Sequence, residues 1–317
     1  MQLDQLKRAS QKPNVLEITS EEPGAGKTHL LFLLAAIAVL PKSHSGVILN
    51  GMHSTIVVVD ADNRFCVQRL TQIMRHYIEQ QCKNHQDNMP VATDDSHSPH
   101  LDEATTSHLI SASLQHIHIF RPQSLSSLLT TLTTLQNYLL TSTAHHSSTR
   151  RLHSILLDSA TAFYWNHRAA SETTNLSEPA PQPQPTYNHL VHALRSLAQL
   201  FSCPVIATTS PPFATSASTS SSTAIAIGGR GTGIGLSAPP AIRRHFMPHS
   251  WSAFVTVRLH VARVAIPRFA LGLSVEEALR EKEERQREVE KGMFVVVADD
   301  GSGGFGFSIC GEGVEVE

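Results

Sequence analysis

Cysteine is scarce in this chain and forms no CxxC pair. The four present in 317 residues, Cys66, Cys82, Cys203 and Cys310, lie far apart. Such spacing argues against a disulfide framework and against a structural zinc site, and it fits a reducing compartment. Surplus positive charge is missing too. Lysine and arginine number 25 against 27 acidic residues, a formal net charge of -2. No global field therefore recruits nucleic acid, and any basic surface must be local. Long apolar runs are also absent. The stretch Leu30 to Leu40 is too short to cross a bilayer, and Met1-Gln2-Leu3-Asp4 does not open a charged-then-apolar signal. No membrane partner is expected. The glycines of Gly228 to Gly235 neither follow a strand nor open a helix, so they do not read as a dinucleotide fingerprint.

What is present is ordinary globular material, 41% hydrophobic and 16% charged, enough for one large domain carrying insertions. It is organised around Ser20-Glu21-Glu22-Pro23-Gly24-Ala25-Gly26-Lys27-Thr28, between an apolar run, Asn14 to Thr19, and a longer one, Leu30 to Leu40. This reads as a phosphate-binding loop with Gly24, Ala25, Gly26, Lys27 and Thr28 as its binding residues. The glycines let backbone N–H groups face an anion, Lys27 neutralises outer phosphates, and the Thr28 hydroxyl suits magnesium at a helix N-terminus. ATP and Mg2+ are the expected ligands. One departure is Glu21, which stands where the usual pattern has a further glycine, and Glu22 follows it. A carboxylate ~8 Å from a phosphate costs roughly 0.5–2 kcal/mol for effective dielectrics of 80 to 20, enough to weaken affinity about tenfold.

Along the chain, Thr55 to Asp60 is a β-branched run of the kind buried in parallel sheets, and it leads into Asp60-Ala61-Asp62. Residues 65–81 carry apolar positions at helical spacing. The polar stretch 83–115 reads as a mobile insertion. Residues 117–120 form a third strand and 125–140 a leucine-spaced helix. Ile155-Leu156-Leu157-Asp158 is an apolar strand ending in an acid, a Walker B pattern, with Asp158 as an anchor for hydrated magnesium on the strand beside the phosphate loop. A helix over 187–201 and a strand over 203–209 follow. Residues 166–186 and 210–240 read as flexible loops, 254–264 as a strand, and 273–292 as a charged helical insertion opened by the capping box Ser274-Val275-Glu276-Glu277. Residues 294–298 and 305–309 close the chain as strands. The 19 histidines scatter through polar segments and read as solvated, although His116 and His118 could share a strand face. Strand-helix alternation after a phosphate loop predicts an α/β fold with a mostly parallel twisted sheet flanked by helices.

In order, GAGKT, VVVDAD, LLDSATAFYW, ATTS before a Ser/Gly-rich loop, and FVTVRL resemble the RecA-like P-loop ATPase core. The pattern is most similar to the eukaryotic recombinase paralogs of the X-ray-repair cross-complementing protein two branch. The resemblance covers residues 14–317, leaving 1–13 as a short lead-in, and implies antiparallel C-terminal strands. It also implies a nuclear protein of homologous-recombination DNA repair, working in a hetero-complex of other paralogs and meeting single-stranded or branched DNA through that complex. By position Gly24, Gly26, Lys27 and Thr28 would hold phosphate and magnesium, with Asp158 supporting the metal. Asp62 falls where the family places the glutamate that orients attacking water. It is one methylene shorter, and a displacement near 1 Å can cost roughly a hundredfold in rate. Asp62 therefore reads either as a weakened catalytic group or as a loop aspartate with no task.

The loops 166–185 and 210–240 match the family's two DNA-facing loops and are poor in basic residues. Arg168 faces Glu172 and Glu178, while Arg230 has Arg243 and Arg244 just beyond. Three such contacts would give a salt slope of only about -2 to -3. Tyr164 and Trp165 could stack on bases, although the end of a core strand is the plainer home. Residues 1–13 cannot hold the helical domain and Phe-x-x-Ala plug of full recombinases, so no filament of this chain alone is expected. Three activities compete: an ATP-binding mediator subunit with slow or no turnover, an active DNA-dependent ATPase, and a small-molecule P-loop kinase. The last lacks an arginine-bearing lid.

Overall fold

A computed structural model of the chain describes residues 14–87, 101–141, 143, 145–174, 186–210, 247–264 and 274–317. The strands are β1 (Val15–Thr19), β2 (Ser43–His44), β3 (Val47–Ile48), β4 (Thr55–Asp60), β5 (Ile117–Phe120), β6 (Leu152–Asp158), β7 (Val205–Thr209), β8 (Val257–Arg263), β9 (Met293–Ala298), β10 (Gly304–Ile309) and β11 (Val314–Val316). The helices are α1 (Lys27–Val39), α2 (Val67–Asp87), α3 (Glu103–Leu114), α4 (Leu125–Leu140), α5 (Tyr164–Thr174), α6 (Tyr187–Phe201), α7 (His249–Phe254) and α8 (Val275–Glu290).

All strands except the small β2–β3 hairpin join one sheet in the order β11-β10-β9-β8-β1-β7-β6-β4-β5. From β5 to β8 every pair is parallel, and from β8 to β11 every pair is antiparallel. This is the RecA-like α/β fold with antiparallel C-terminal strands. The mainly buried central strands β4 and β7 explain the unbroken β-branched runs, because parallel strands covered on both faces have no polar side to show. Alternation within each strand divides the core. Ile18, Ile56, Val58, Leu156 and Ile206 pack under α1, α2 and α3, whereas Val15, Val57, Val59, Ile155, Leu157 and Ala207 pack under α4, α6 and α7.

Several boundaries differ from the sequence expectation. The stretch 83–115 is helical at both ends, as the C-terminal turn of α2 and as α3. The face of α3 that packs is Thr106, Leu109, Ile110 and Ser113, a helical stripe half made of hydroxyls, which hides it from an apolar pattern. Asp102 caps it, accepting from Thr105 N at 2.9 Å. Residues 166–174 continue α5 rather than forming a loop. Phe254 ends the short α7 instead of opening β8, because Trp251 and Phe254 at i, i+3 face the core together. The capping box of α8 is present, with Glu277 accepting from Ser274 N at 3.0 Å. The lead-in 1–13, most of the loop 210–240 and residues 175–185 lie outside the described residues.

His116 and His118 are buried rather than solvated. His116 Nδ1 and His118 Nε2 meet the same Ser147 hydroxyl at 3.0 and 2.9 Å, and Tyr138 Oη lies 2.9 Å from His118 Nδ1. Burial pushes both imidazoles down to about 4, with neighbouring charges adding to the effect, so they are neutral at pH 7.

Candidate phosphate-binding site

The loop between β1 and α1 turns on two glycines. Gly24 has φ +77° and Gly26 φ +86°, a left-handed conformation that a side chain resists. At residue 26 a Cβ would also stand 2.9 Å from Ile309 Cδ1 and 3.0 Å from Phe307 Cζ. The back of the loop therefore rests on β10. Glu21 and Glu22 are both exposed, so water screens their charge and the penalty expected at the loop falls toward the low end of its range.

Lys27 begins α1 and is buried. Its ammonium donates to Ser20 Oγ, which in turn donates to the Glu22 carbonyl at 2.7 Å. Among the described residues no carboxylate lies in ion-pair reach of it. Burial pushes the Lys27 ammonium down to about 8, against the opposing charges of Asp158 and Asp62 and with a further small push from Arg64. A buried ammonium so placed is suited to receive an anion.

Beside it, Thr28 Oγ1 donates to Asp158 Oδ2 at 2.8 Å. Thr208 Oγ1 donates to Asp158 Oδ1. Burial raises the Asp158 carboxyl above its usual range, and these two hydrogen bonds work the other way. The carboxylate does not sit on the strand next to the loop, as expected from sequence. Strand β7 lies between β1 and β6, and that intervening strand supplies Thr208. Thr28 and Asp158 together are the pair able to support a hydrated divalent cation.

The two acids after β4 have separate tasks. Asp60 is fully buried and accepts from the Arg64 and Phe65 amides at 2.8 and 3.1 Å and from Arg121 Nε at 3.1 Å, so it shapes the turn. Asp62 is exposed, and its backbone N–H donates to the Asp158 carbonyl at 3.1 Å. This ties its carboxylate to the edge of the site, near enough for its charge to act on both Lys27 and Asp158. Asp62 therefore joins Lys27, Thr28 and Asp158 at one place.

Of the arginines assigned to DNA, Arg168 lies among the described residues. Arg168 is an exposed residue of α5 whose guanidinium lies 5.6 Å from the centre of the Trp165 ring. Arg230, Arg243 and Arg244 lie outside the described residues. Tyr164 is buried against Tyr187, with ring centres 5.3 Å apart, a core position at the start of a helix rather than the end of a strand.

Sequence reasoning passed over Ser20 and Thr208, which hold Lys27 and Asp158. It also passed over Glu17, a buried acid in the middle of β1. Glu17 accepts from Thr209 Oγ1 at 2.8 Å, from Trp251 Nε1 at 3.2 Å and from Arg258 Nε, and Arg258 lies 3.6 Å from Asp299. The available signal was an acid interrupting an apolar strand, with an arginine alternating along β8.

No protein-family model matches the chain. A DNA repair protein XRCC2 homolog of Arabidopsis thaliana is 25% identical over 279 residues, covering 80% of this chain and 69% of the relative. Strand order and sequence likeness agree, and the chain is XRCC2-like on a RecA-like fold.

Proposed function

We propose that the chain is an ATP-binding subunit of a recombinase-paralog complex in homologous-recombination DNA repair, working in the nucleus with slow or no hydrolysis. The observation that carries the binding reading is Lys27, a buried ammonium with no carboxylate partner among the described residues, beside the Thr28–Asp158 pair. ATP phosphates would be received by the amides around Gly24, Ala25 and Gly26 and by Lys27. Magnesium would be held by Thr28 with Asp158 behind it, and when bound it would neutralise charge on the phosphates. The repair role rests on the likeness to a DNA repair protein. Partners are other paralogs, and single-stranded or branched DNA is met through the assembly.

Slow turnover follows from Asp62. Its carboxylate stands one methylene short of the expected glutamate and is exposed, so a water beside it is held loosely. A second reading, a DNA-stimulated ATPase, draws on the same residue, because the Asp62 backbone is pinned to the Asp158 strand.

The test measures labelled ATP binding and turnover with magnesium, on wild type and Lys27→Ala, with and without single-stranded DNA. Binding that Lys27→Ala abolishes, with negligible turnover, is the expected result. Brisk turnover stimulated by DNA and lost in Lys27→Ala would establish the ATPase instead. Absence of binding in the wild type would overturn both.

A further inference from the structure

The turn between β10 and β11 lies against α2, and it assembles three metal-ligating side chains from distant parts of the chain. His76 comes from α2, Cys310 directly follows β10, and Glu315 lies in β11. One ligand atom from each falls within 4.8 Å of those of the other two. His76 Nε2 approaches Glu315 Oε1 at 3.2 Å, yet that nitrogen is buried and the approach is not aligned as a hydrogen bond. On the other side of the ring, Nδ1 lies 4.0 Å from Glu312 Oε2.

The turn is held as a ligand-bearing turn needs to be. Gly313 N donates to Cys310 Sγ at 3.1 Å, which fixes the position of the sulfur within the turn. Arg69 Nη2 donates to the Cys310 carbonyl at 2.7 Å, fixing the turn to α2. Gly313 is obligatory, since a Cβ there would stand 2.1 Å from His76 Cδ2. The imidazole is thus clamped by backbone on one face, with a carboxylate near each nitrogen.

We propose that His76, Cys310 and Glu315 bind a zinc ion, with a fourth position left to water. Nitrogen, sulfur and carboxylate donors together select zinc over magnesium or calcium, which take oxygen ligands. A tetrahedral zinc site places nitrogen and oxygen donors about 3.3 Å apart for metal bonds of about 2.0–2.1 Å, close to the separation of Nε2 from Glu315. If Nε2 binds the metal, Glu312 stands on the Nδ1 side, where a carboxylate orients a ligating histidine. The absence of any CxxC pair does not count against the site, because its ligands lie on elements that only the fold brings together. Ile309, the residue before Cys310, packs on Gly26. Zinc here would tie the strand backing the phosphate loop to α2.

The test uses the full chain stripped with chelator, then titrated with Zn2+ and separately with Co2+. Expected are one zinc per chain and a cobalt spectrum with a thiolate charge-transfer band. Affinity should fall about 10–100-fold in Cys310→Ser and in His76→Gln and stay unchanged in Cys66→Ser, which removes the other exposed cysteine. Should either variant misfold, the wild type still decides: zinc must protect Cys310 from alkylation while Cys66 remains reactive. Equal zinc affinity in wild type and Cys310→Ser, a cobalt spectrum without the thiolate band, or equal alkylation of both cysteines would overturn the proposal.

Discussion

Two buried charges stand on strand β1 and at the start of α1, and the chain treats them differently. Glu17 is surrounded by donors of its own protein: the Thr209 hydroxyl, the Trp251 indole and the Arg258 guanidinium, drawn from β7, α7 and β8. Among the described residues, Lys27 is offered one serine hydroxyl and no carboxylate within ion-pair reach. A buried ion that is fully met by the fold is structural, since removing a partner leaves an orphan charge. One that is not met has been left for something else to complete. The difference separates a joint that holds three strands together from the residue on which the proposed phosphate binding rests.

The comparison breaks first at Glu17. Glu17→Ala takes the nearer carboxylate from the Arg258 guanidinium, which is 12% exposed, and leaves the Thr209 hydroxyl and Trp251 indole without their acceptor, so it should cost about 3 kcal/mol of stability, read as a lower denaturant midpoint. Lys27→Met should do the opposite. A lysine pushed down to about 8 is protonated at pH 7 against the cost of burial, so replacing it stabilises the free protein by on the order of 2 kcal/mol while ATP affinity is lost. If Lys27→Met proves as destabilising as Glu17→Ala, the two charges are both structural and the contrast fails.

A finer effect is linkage. The Lys27 ammonium titrates near 8 in the free chain, and bound phosphate restores its charge, so binding takes up protons. At pH 8 the uptake should be about half a proton per ATP, falling toward zero by pH 6, read by calorimetry in buffers of different ionisation enthalpy. The smallest effect concerns Glu21. Being exposed, it should weaken binding less than tenfold, so Glu21→Gly gains roughly two- to fivefold in ATP affinity at low salt and less at high salt.

The turn of the loop, the buried parallel strands and the acid that ends β6 were legible because their patterns are local. Gly24, Gly26, Lys27 and Thr28 follow one another, and Val57, Val58 and Val59 announce a two-sided core by themselves. Helix α3 was not legible, because Thr106 and Ser113 share its packed face with Leu109 and Ile110. Nor was the Glu17 joint, whose members are up to 241 residues apart. Thr208 escaped because a hydroxyl's role depends on which strand becomes its neighbour. That neighbour is set by the insertion of β7 between β1 and β6, a choice made by the whole sheet rather than by residues nearby.

The contact between Gly26 and Phe307 and Ile309 bears on how the molecule is made. The phosphate loop leaves the ribosome before the strand on which it rests, which follows some 280 residues later. At synthesis rates of about 5–20 residues per second that interval is roughly 15 to 55 seconds. For the earlier part of it, until Arg263 is made, β1 also lacks one or both of its partners β7 and β8. The nascent loop must wait with its apolar neighbours uncovered, so a ribosome halted before codon 304 leaves a chain that carries every phosphate-binding residue and has no finished place to put them.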